Sequence, residues 1–500
     1  MLFNSSIYIF LFLPITVLVY FFLNGRGLHR ASNIWLVVAS IYFYGYWNPR
    51  YIPLITLSIV GNFFLGNLLQ QKRSKALLTL AIVMNLGVLA YFKYASFILE
   101  NMNSLLNIQL VPAINNYFHS QLDLSNITLP LAISFFTFLQ IAYLVDCYQA
   151  RVKESSFLHY ALFVTYFPHL IAGPLVHHQE LMPEFARADN KRVNWSNVYL
   201  GFYVFAIGLF KKAIIADTFA EWAKEGFDST GPLSFFDAWG SSLSYTMQLY
   251  YDFSGYTDMA IGASMIFNIA LPINFNSPYK ALDIQDFWRR WHMTLSRWLR
   301  EYLYIPLGGN RNGSFFTGIN LFITFLLGGL WHGASWNFVI WGALHGSAVV
   351  VHRIWHAAGL KLPRLLAWST TFLFVNLAWV FFRAKTFEDS IRILRGMADI
   401  SSAGFSEPFA NAANYFLQPL LLSIASSAAE HVLPVSALLF LLVFLPICMV
   451  SSNTHELSRK QLGITPSFSM CLWVALLAGI PIFQMLFMSS HISTFIYFNF

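Results

Sequence analysis

Apolar runs approaching 20 residues recur along the whole chain, and they leave it few folds to choose from. About 20 mostly apolar residues, coiled as a helix, cross the hydrocarbon of a bilayer. Such stretches lie at roughly 6–23, 33–48, 52–70, 76–92, 128–147, 157–175, 198–210, 238–252, 256–273, 315–331, 336–352, 366–382, 417–428, 434–451 and 468–489. Several are short, so the pattern predicts about 11 to 13 crossings plus half-buried helices. Only 11% of the 500 residues are charged and 57% are apolar. A soluble domain has about 25% charged residues. There is too little polar surface here to cover a water-soluble particle, so the chain reads as an all-α polytopic membrane protein.

The formal charge of +7 fits Lys and Arg in cytoplasmic loops, and no nucleic-acid partner is expected. Cys147, Cys448 and Cys471 are scattered, with no CxxC, so neither a disulfide framework nor a metal site is expected. Residues 1–25 hold no Lys or Arg and no small-residue cleavage site, so the first run reads as a retained span. No repeat or hydrophilic domain stands out. The chain reads as one integral-membrane unit, 1–500, with N-terminal helices (1–125), a core (126–353) and C-terminal helices (354–500). Any chemistry must sit within the membrane body.

Positive charge alternates across the first spans. Arg26 and Arg30 follow the first, and Lys72, Arg73 and Lys75 follow the third. Residues 94–150 hold no Lys or Arg, and Arg151 and Lys153 come next. This predicts an outside N-terminus, with loops 24–32, 71–75 and 149–156 cytoplasmic. The alternation fails at Arg187, Lys191 and Arg192. The stretch before them contains YFPHLIAGP, with Pro168, Gly173 and Pro174. It reads either as a kinked span or as a re-entrant segment, which is tolerated only where protein or a cavity surrounds it.

The longest polar stretch is 274–311. Placed on one helix, 286–300 gathers Trp288, Trp291, Leu295, Trp298 and Leu299 within an arc of about 100°. Asp286, Arg289, Arg290, Arg297 and Arg300 fall opposite, with His292 and Ser296 at a boundary. Asp286 can pair with Arg289 or Arg290. An interfacial anchor helix explains the Trp and Arg. The basic face can also draw in an anionic acyl donor. YIPLGGNR, with Tyr304 and Asn310, then reads as a turn.

FLLGGLWHGASWNFVIWGALHG spans 325–346 and sets Gly328, Gly329 and Gly333 around His332. Glycines weaken a helix interior, so a broken helix pressed against other backbone is expected. A lone histidine here reads first as a satisfied core residue. Its second reading is a general base facing a cavity. His345 lies 13 residues on, about 220° around a continuous helix, so it need not share a site. No HExxH or His-plus-Cys spacing is present, so zinc is not expected. Asp252 and Asp258 lie in QLYYDFSGYTDMAIG and read as structural partners of the arginines in the polar block.

RWHMTLSRWLREYLYIPLGGNR at 290–311 and LGGLWHGASWNFVIWGALHG at 327–346 resemble the signature of the membrane-bound O-acyltransferase family. QLYYDFSGYTDMAIG, LPLAISFFTFLQIAYLVDCY at 129–148, YFPHLIAGPLV at 166–176, WVFFRA at 379–384 and the terminal FIYFNF extend the likeness over nearly the whole chain. They resemble the bacterial branch that acetylates alginate, related exopolysaccharides and peptidoglycan, and more distantly the D-alanylation protein of teichoic acids. The resemblance implies a ring of helices around a central funnel, with re-entrant and interfacial helices. It implies that His332 is catalytic and that His292 is the second polar position. Arg289, Arg290, Trp291, Ser296, Tyr304, Asn310, Trp331, Trp336 and Asn337 then become candidate substrate contacts, with Asp252, Asp258 and Asp286 structural. One departure is His177 and His178, where relatives often carry arginine.

The expected protein is an inner-membrane O-acetyltransferase. Its donor is acetyl-CoA or another cytosolic acetyl thioester, and no cofactor is bound. Its acceptor is a periplasmic SGNH-type or other polysaccharide-modifying partner, serving an alginate-type polymer, with peptidoglycan as the alternative. His332 acts as base or as a transient acyl carrier, while His292 orients the acceptor or donates to the oxyanion. A non-catalytic transporter or export component would share the spans and the intramembrane Asp and His. A lipid acyltransferase would share the histidine. Membrane lipid surrounds the chain in every case.

Overall fold

The structure, a computed structural model, describes residues 1–107, 109–112, 115, 128–152, 156–402, 446, 451–461, 468–487 and 495–496. Every regular element among these residues is helical. A π-helical turn, Tyr8–Phe12, leads into α1 (Leu13–Gly25), followed by α2 (His29–Gly45) and α3 (Ile52–Lys72). Arg73 ends α3 in the left-handed region, and the Ser74 hydroxyl caps α4 (Lys75–Leu89) by accepting from Leu77 N–H. A second π turn, Ala90–Tyr94, joins α4 to α5 (Ala95–Leu106). Next comes α6 (Ile133–Tyr148), buried along nearly its whole length. Buried polar side chains bind α3 and α4 to it. Asn85 donates to Asn62 (2.7 Å), Ser58 donates to Gln140 (2.7 Å), and Asn62 also reaches Gln140. In a membrane interior, polar side chains such as these hydrogen-bond across helices.

The YFPHLIAGP stretch is re-entrant. α7 (Phe157–Thr165) has nine residues, a length of about 14 Å against a hydrocarbon core of about 30 Å. A single turn, Phe167–Leu170, and extended chain follow, and residues 160–176 are all buried. α8 (His178–Ala186) begins where the segment emerges. There Gln179 donates to the Arg151 carbonyl (3.5 Å), and His178 Nδ1 lies 3.3 Å from Asp146. Entry and exit therefore share one face. Lys191 donates to Asn33 (2.9 Å), so the Arg187–Arg192 cluster joins the face of the 24–32 loop.

α9 (Trp195–Phe210) runs through a π turn, Lys211–Ala216, into α10 (Asp217–Phe227). The stretches 238–252 and 256–273 are separate in the apolar pattern, but most of both belongs to one 32-residue helix, α11 (Phe235–Ile266). Gly255 does not break it, because its missing side chain is where α9 comes closest. A methyl on Gly255 would lie 2.8 Å from Gly208 O, and one on Gly208 would lie 2.6 Å from Gly255 O. Small residues facing each other let membrane helices touch backbone to backbone.

The polar block forms α12 (Ile284–Arg290), α13 (Met293–Leu299) and a π turn, Arg300–Tyr304. α14 (Gly313–His332) and α15 (Trp336–Ala357) make an antiparallel hairpin. α16 (Arg364–Arg383), α17 (Phe387–Ala398), α18 (Thr454–Gln461) and α19 (Phe468–Phe487) complete the described helices. Eight helical stretches among the described residues are long and apolar enough to cross a bilayer. The expected spans at 417–428 and 434–451 lie outside the described residues, apart from Pro446 and Ser451.

Candidate active site

The polar block is not the single amphipathic helix its pattern predicts. The helix stops at Arg290 and restarts at Met293, with His292 between them at a φ of 42°. An extended segment supplies the hydrogen bonds the helix gives up. Asn276 N–H donates to Arg290 O (3.0 Å), and Met293 N–H donates to Asn274 O (3.0 Å). The Asn274 side-chain oxygen accepts from Thr294 N–H (3.3 Å) and the Thr294 hydroxyl (2.9 Å), and lies 3.1 Å from His292 Nδ1.

That network assigns the His292 tautomer. The Asn274 oxygen is an acceptor, so Nδ1 carries the hydrogen and neutral His292 presents Nε2 as a lone pair. Nε2 is buried with no hydrogen-bond partner among the described residues. The Phe253 ring meets the imidazole edge-on at 4.8 Å.

Of the neighbouring side chains, Trp291 is buried and Arg289 is exposed. Arg290 pairs with Asp286 at 2.9 Å, one of the two predicted pairings. Arg297 grips Glu180 through two contacts, 2.6 and 2.8 Å.

His332 is the last residue of α14, and the chain leaves it extended at Gly333. The glycines act by close packing. A methyl on Gly329 would lie 2.9 Å from Gly342 Cα, and the Phe338 ring fills the space where a Gly333 side chain would go. The His332 ring is walled by Trp331 (4.9 Å), Trp341 (5.1 Å) and Phe382 (5.2 Å). Lys93 Nζ donates to the His332 carbonyl (3.1 Å).

His345 lies nearer to His332 than the wheel suggests, though it packs as a core residue, with Nδ1 accepting from the Trp288 indole (3.2 Å). The wheel assumes one continuous helix, whereas the break after His332 puts the two histidines on antiparallel helices, with Trp341 of the second helix touching both rings. The His345 and Trp341 rings are 4.8 Å apart. Trp379 lies 5.7 Å from Trp341 and 5.0 Å from Trp291, joining the two histidine motifs. The indole N–H groups of Trp331, Trp341 and Trp379 are buried with no hydrogen-bond partner among the described residues. Donors left this way call for an explanation, and the Trp331 indole borders a cavity. A cavity of about 60 Å³ touches His332, Trp331, Lys93 and Ser134. Another, of about 270 Å³, reaches Asn274 from Arg459, Lys211 and Tyr250.

Other predicted contacts lie elsewhere. Trp336 is exposed and donates to Asn101 (2.9 Å). Asn337 is buried and ties α15 to the Ala384 and Thr386 carbonyls (2.9 Å each). Asn310 is exposed, while Tyr304 and Ser296 are half-buried.

The pairing of Asp252 and Asp258 with arginines is also corrected. Asp252 pairs with Lys212 (2.9 Å) and accepts from Ile496 N–H (2.8 Å). Asp258 pairs with Lys211 (2.8 Å) and accepts from Thr454 (2.6 Å). The glycine contact between α9 and α11 sets these lysines beside the aspartates. Of the terminal FIYFNF, the described Phe495 stacks on Tyr256 at 4.3 Å and lies 5.7 Å from Phe253, the ring that meets His292. His177 stacks on Tyr302 (5.8 Å) in place of the arginine expected there.

Sequence reasoning missed Asn274, Lys93, Tyr94, Trp341 and Trp379. An intramembrane Asn and Lys were visible signals; the tryptophans were not distinguishable from core residues.

The model of the membrane-bound O-acyltransferase family matches residues 68–386, which include both His292 and His332. The peptidoglycan O-acetyltransferase of Helicobacter pylori is 44% identical across 100% of this chain and 98% of its own length. The probable alginate O-acetylase of Pseudomonas aeruginosa is 39% identical across 81% of this chain and 76% of its own. The teichoic acid D-alanyltransferase of Bacillus subtilis is 29% identical across 51% of this chain and 69% of its own.

Proposed function

This chain belongs to the membrane-bound O-acyltransferase family and is an O-acyltransferase, and we propose that it moves acetyl groups from a cytosolic thioester toward a cell-surface polysaccharide. The observation that carries the mechanism is the aromatic cluster that links two buried histidines from separate motifs, with Trp341 against His332 and Trp379 between Trp341 and Trp291.

A donor such as acetyl-CoA docks by the basic face of 286–300, where Arg289 and Arg300 are exposed. The acetyl end then enters the protein and reaches the site beside His332. An acceptor hydroxyl then attacks the thioester carbonyl. The new C–O bond forms, the C–S bond breaks, and His332 takes the hydroxyl proton and passes it to the leaving thiolate. His292 presents a lone pair at Nε2, so of the two roles expected for it, orienting the acceptor hydroxyl fits this tautomer. The Trp341 N–H is the donor for the developing oxyanion.

The acceptor is carried by a periplasmic partner of the SGNH type or another polysaccharide-modifying protein. Peptidoglycan is the favoured final polymer, because the likeness to a peptidoglycan O-acetyltransferase covers the whole chain; an alginate-type polymer is the alternative. The protein sits in the bacterial inner membrane with its N-terminus in the periplasm.

Proteoliposomes given radiolabelled acetyl-CoA, with the periplasmic partner added, test this reading. Wild type should turn over the thioester and His332→Ala should not. Turnover by a folded His332→Ala protein would overturn the assignment, and an intact thioester in both would favour a transporter.

A further inference from the structure

His332 is the last residue of a helix, and that position is hard to hold still. The final turn of an α-helix leaves carbonyls without intrahelical partners, and at membrane depth no bulk water is available to satisfy them. In α14 those carbonyls receive donors from a distant part of the chain. Lys93 Nζ donates to Trp331 O (2.6 Å), His332 O (3.1 Å) and the Ser134 hydroxyl (3.3 Å). The next residue, Tyr94, donates its hydroxyl hydrogen to Leu330 O (2.8 Å). Three consecutive carbonyls, ending at His332, are thus held by two consecutive side chains.

Local structure makes this possible. Lys93 and Tyr94 end the π turn Ala90–Tyr94. Such bulges insert a residue into a helix and recur at functional sites. Here the bulge aims two adjacent side chains at one target. An ammonium has three donors, and each has a partner. Its charge also faces the negative end of the α14 dipole and lies 5.8 Å from the Trp331 ring centroid. A lysine within a span is costly and is kept for a role. The partners of this one are carbonyls and a hydroxyl, not a carboxylate.

We propose that Lys93 and Tyr94 are positioning residues that lock the end of α14 and so fix the His332 ring relative to the reacting atoms. They act through the backbone of the histidine and not on the substrate. The inference rests on the reading of His332 as the base. It extends the site to the π turn of an N-terminal helix, outside both histidine motifs.

The test compares wild type, Lys93→Met, Lys93→Arg, Tyr94→Phe and His332→Ala in the thioester-turnover assay with the partner present. Each variant is first checked for a monodisperse gel-filtration peak. Misplacing a catalytic group by about 1 Å costs up to about 100-fold in rate. Lys93→Met should therefore lose about 10- to 100-fold in kcat, with KM for acetyl-CoA within about twofold of wild type. Lys93→Arg keeps cationic donors and should recover part of kcat. Tyr94→Phe removes one hydroxyl and should lose about threefold.

A folded Lys93→Met with wild-type kcat, or one whose loss lies in KM alone, overturns the inference while an inactive His332→Ala leaves the base assignment standing. If Lys93→Met does not fold, Tyr94→Phe decides, and wild-type kcat there overturns the inference. An active His332→Ala overturns both.

Discussion

At the scale of single residues, the site depends on polar side chains that hold other polar side chains. Asn274 is the clearest case, because its oxygen serves Thr294 twice and sets the His292 tautomer. Asn274→Ala should lower the rate of acetyl transfer by about tenfold or more, as losing an orienting partner does for other catalytic imidazoles. Asn274→Asp keeps the acceptor and should retain more activity. Equal rates for Asn274→Ala and wild type would sink the tautomer argument.

Arg297 acts outside the spans. Burial tends to raise the Glu180 carboxyl, but the two-point Arg297 contact prevails and holds it below its ordinary value. Burial, and then the Arg297 charge, hold the His177 imidazole below its own. A depressed carboxylate stabilises the fold above its unfolded pKa, and that stability is lost as pH falls through the lower folded value. A depressed imidazole takes up its proton more readily when unfolded, so the fold weakens as pH drops below about 6.5. Both effects have the same sign, and Arg297→Gln relaxes both. The variant should cost less than about 1 kcal/mol near pH 7, because the pair is partly exposed and screened. Its His177 part should also flatten the loss of Tm between pH 7.5 and pH 5, and its Glu180 part the further loss below about pH 4.3, both read by scanning fluorimetry. An unchanged pH profile would show that the pair carries none of the acid sensitivity.

At the scale of elements, close backbone contact sets what the helices can bring together. The α9–α11 crossing seats Lys211 beside Asp258 and Lys212 beside Asp252. A side chain at Gly208 would strike Gly255 O and Met259 N, at 2.6 and 2.7 Å. Neither is a flexible end that can swing away. Gly208→Val should destabilise the protein by about 2 kcal/mol or more, while Gly61→Ala, with nothing within 4 Å, should leave Tm unchanged. Equal melting of the two variants in detergent would refute the contact. The α14–α15 hairpin follows the same rule at Gly329 and Gly342. The expectation of a broken helix was right about the exit from His332. It was incomplete about the glycines before it, which serve helix packing.

At the scale of the whole molecule, the re-entrant segment reconciles the charge pattern with the fold. Single cysteines replacing Arg73, Arg151 and Arg187, in a background without Cys147, Cys448 and Cys471, should react with an impermeant thiol reagent from one side of the membrane. A cysteine at Asn107 should react from the other. Labelling of positions 151 and 187 from opposite sides would mean that 157–176 crosses after all.

The bilayer placement, the helical class, the loop charges and the two histidine motifs were legible in the sequence, because each is carried by neighbouring residues. A run of apolar side chains, a cluster of arginines or a contiguous family motif needs no distant partner to be recognised. The break at His292 was not legible. A 100° wheel assumes an unbroken helix, and the pairing of Asn274 and Asn276 across the gap overrides it. The same holds for His345, which shares Trp341 with His332 only because the chain reverses between them. Lys93 is separated from His332 by 239 positions, and no local pattern links them. In the membrane, a buried donor or acceptor has only the protein to turn to, and the partners of Lys93, Tyr94 and Asn274 were decided by the tertiary structure alone.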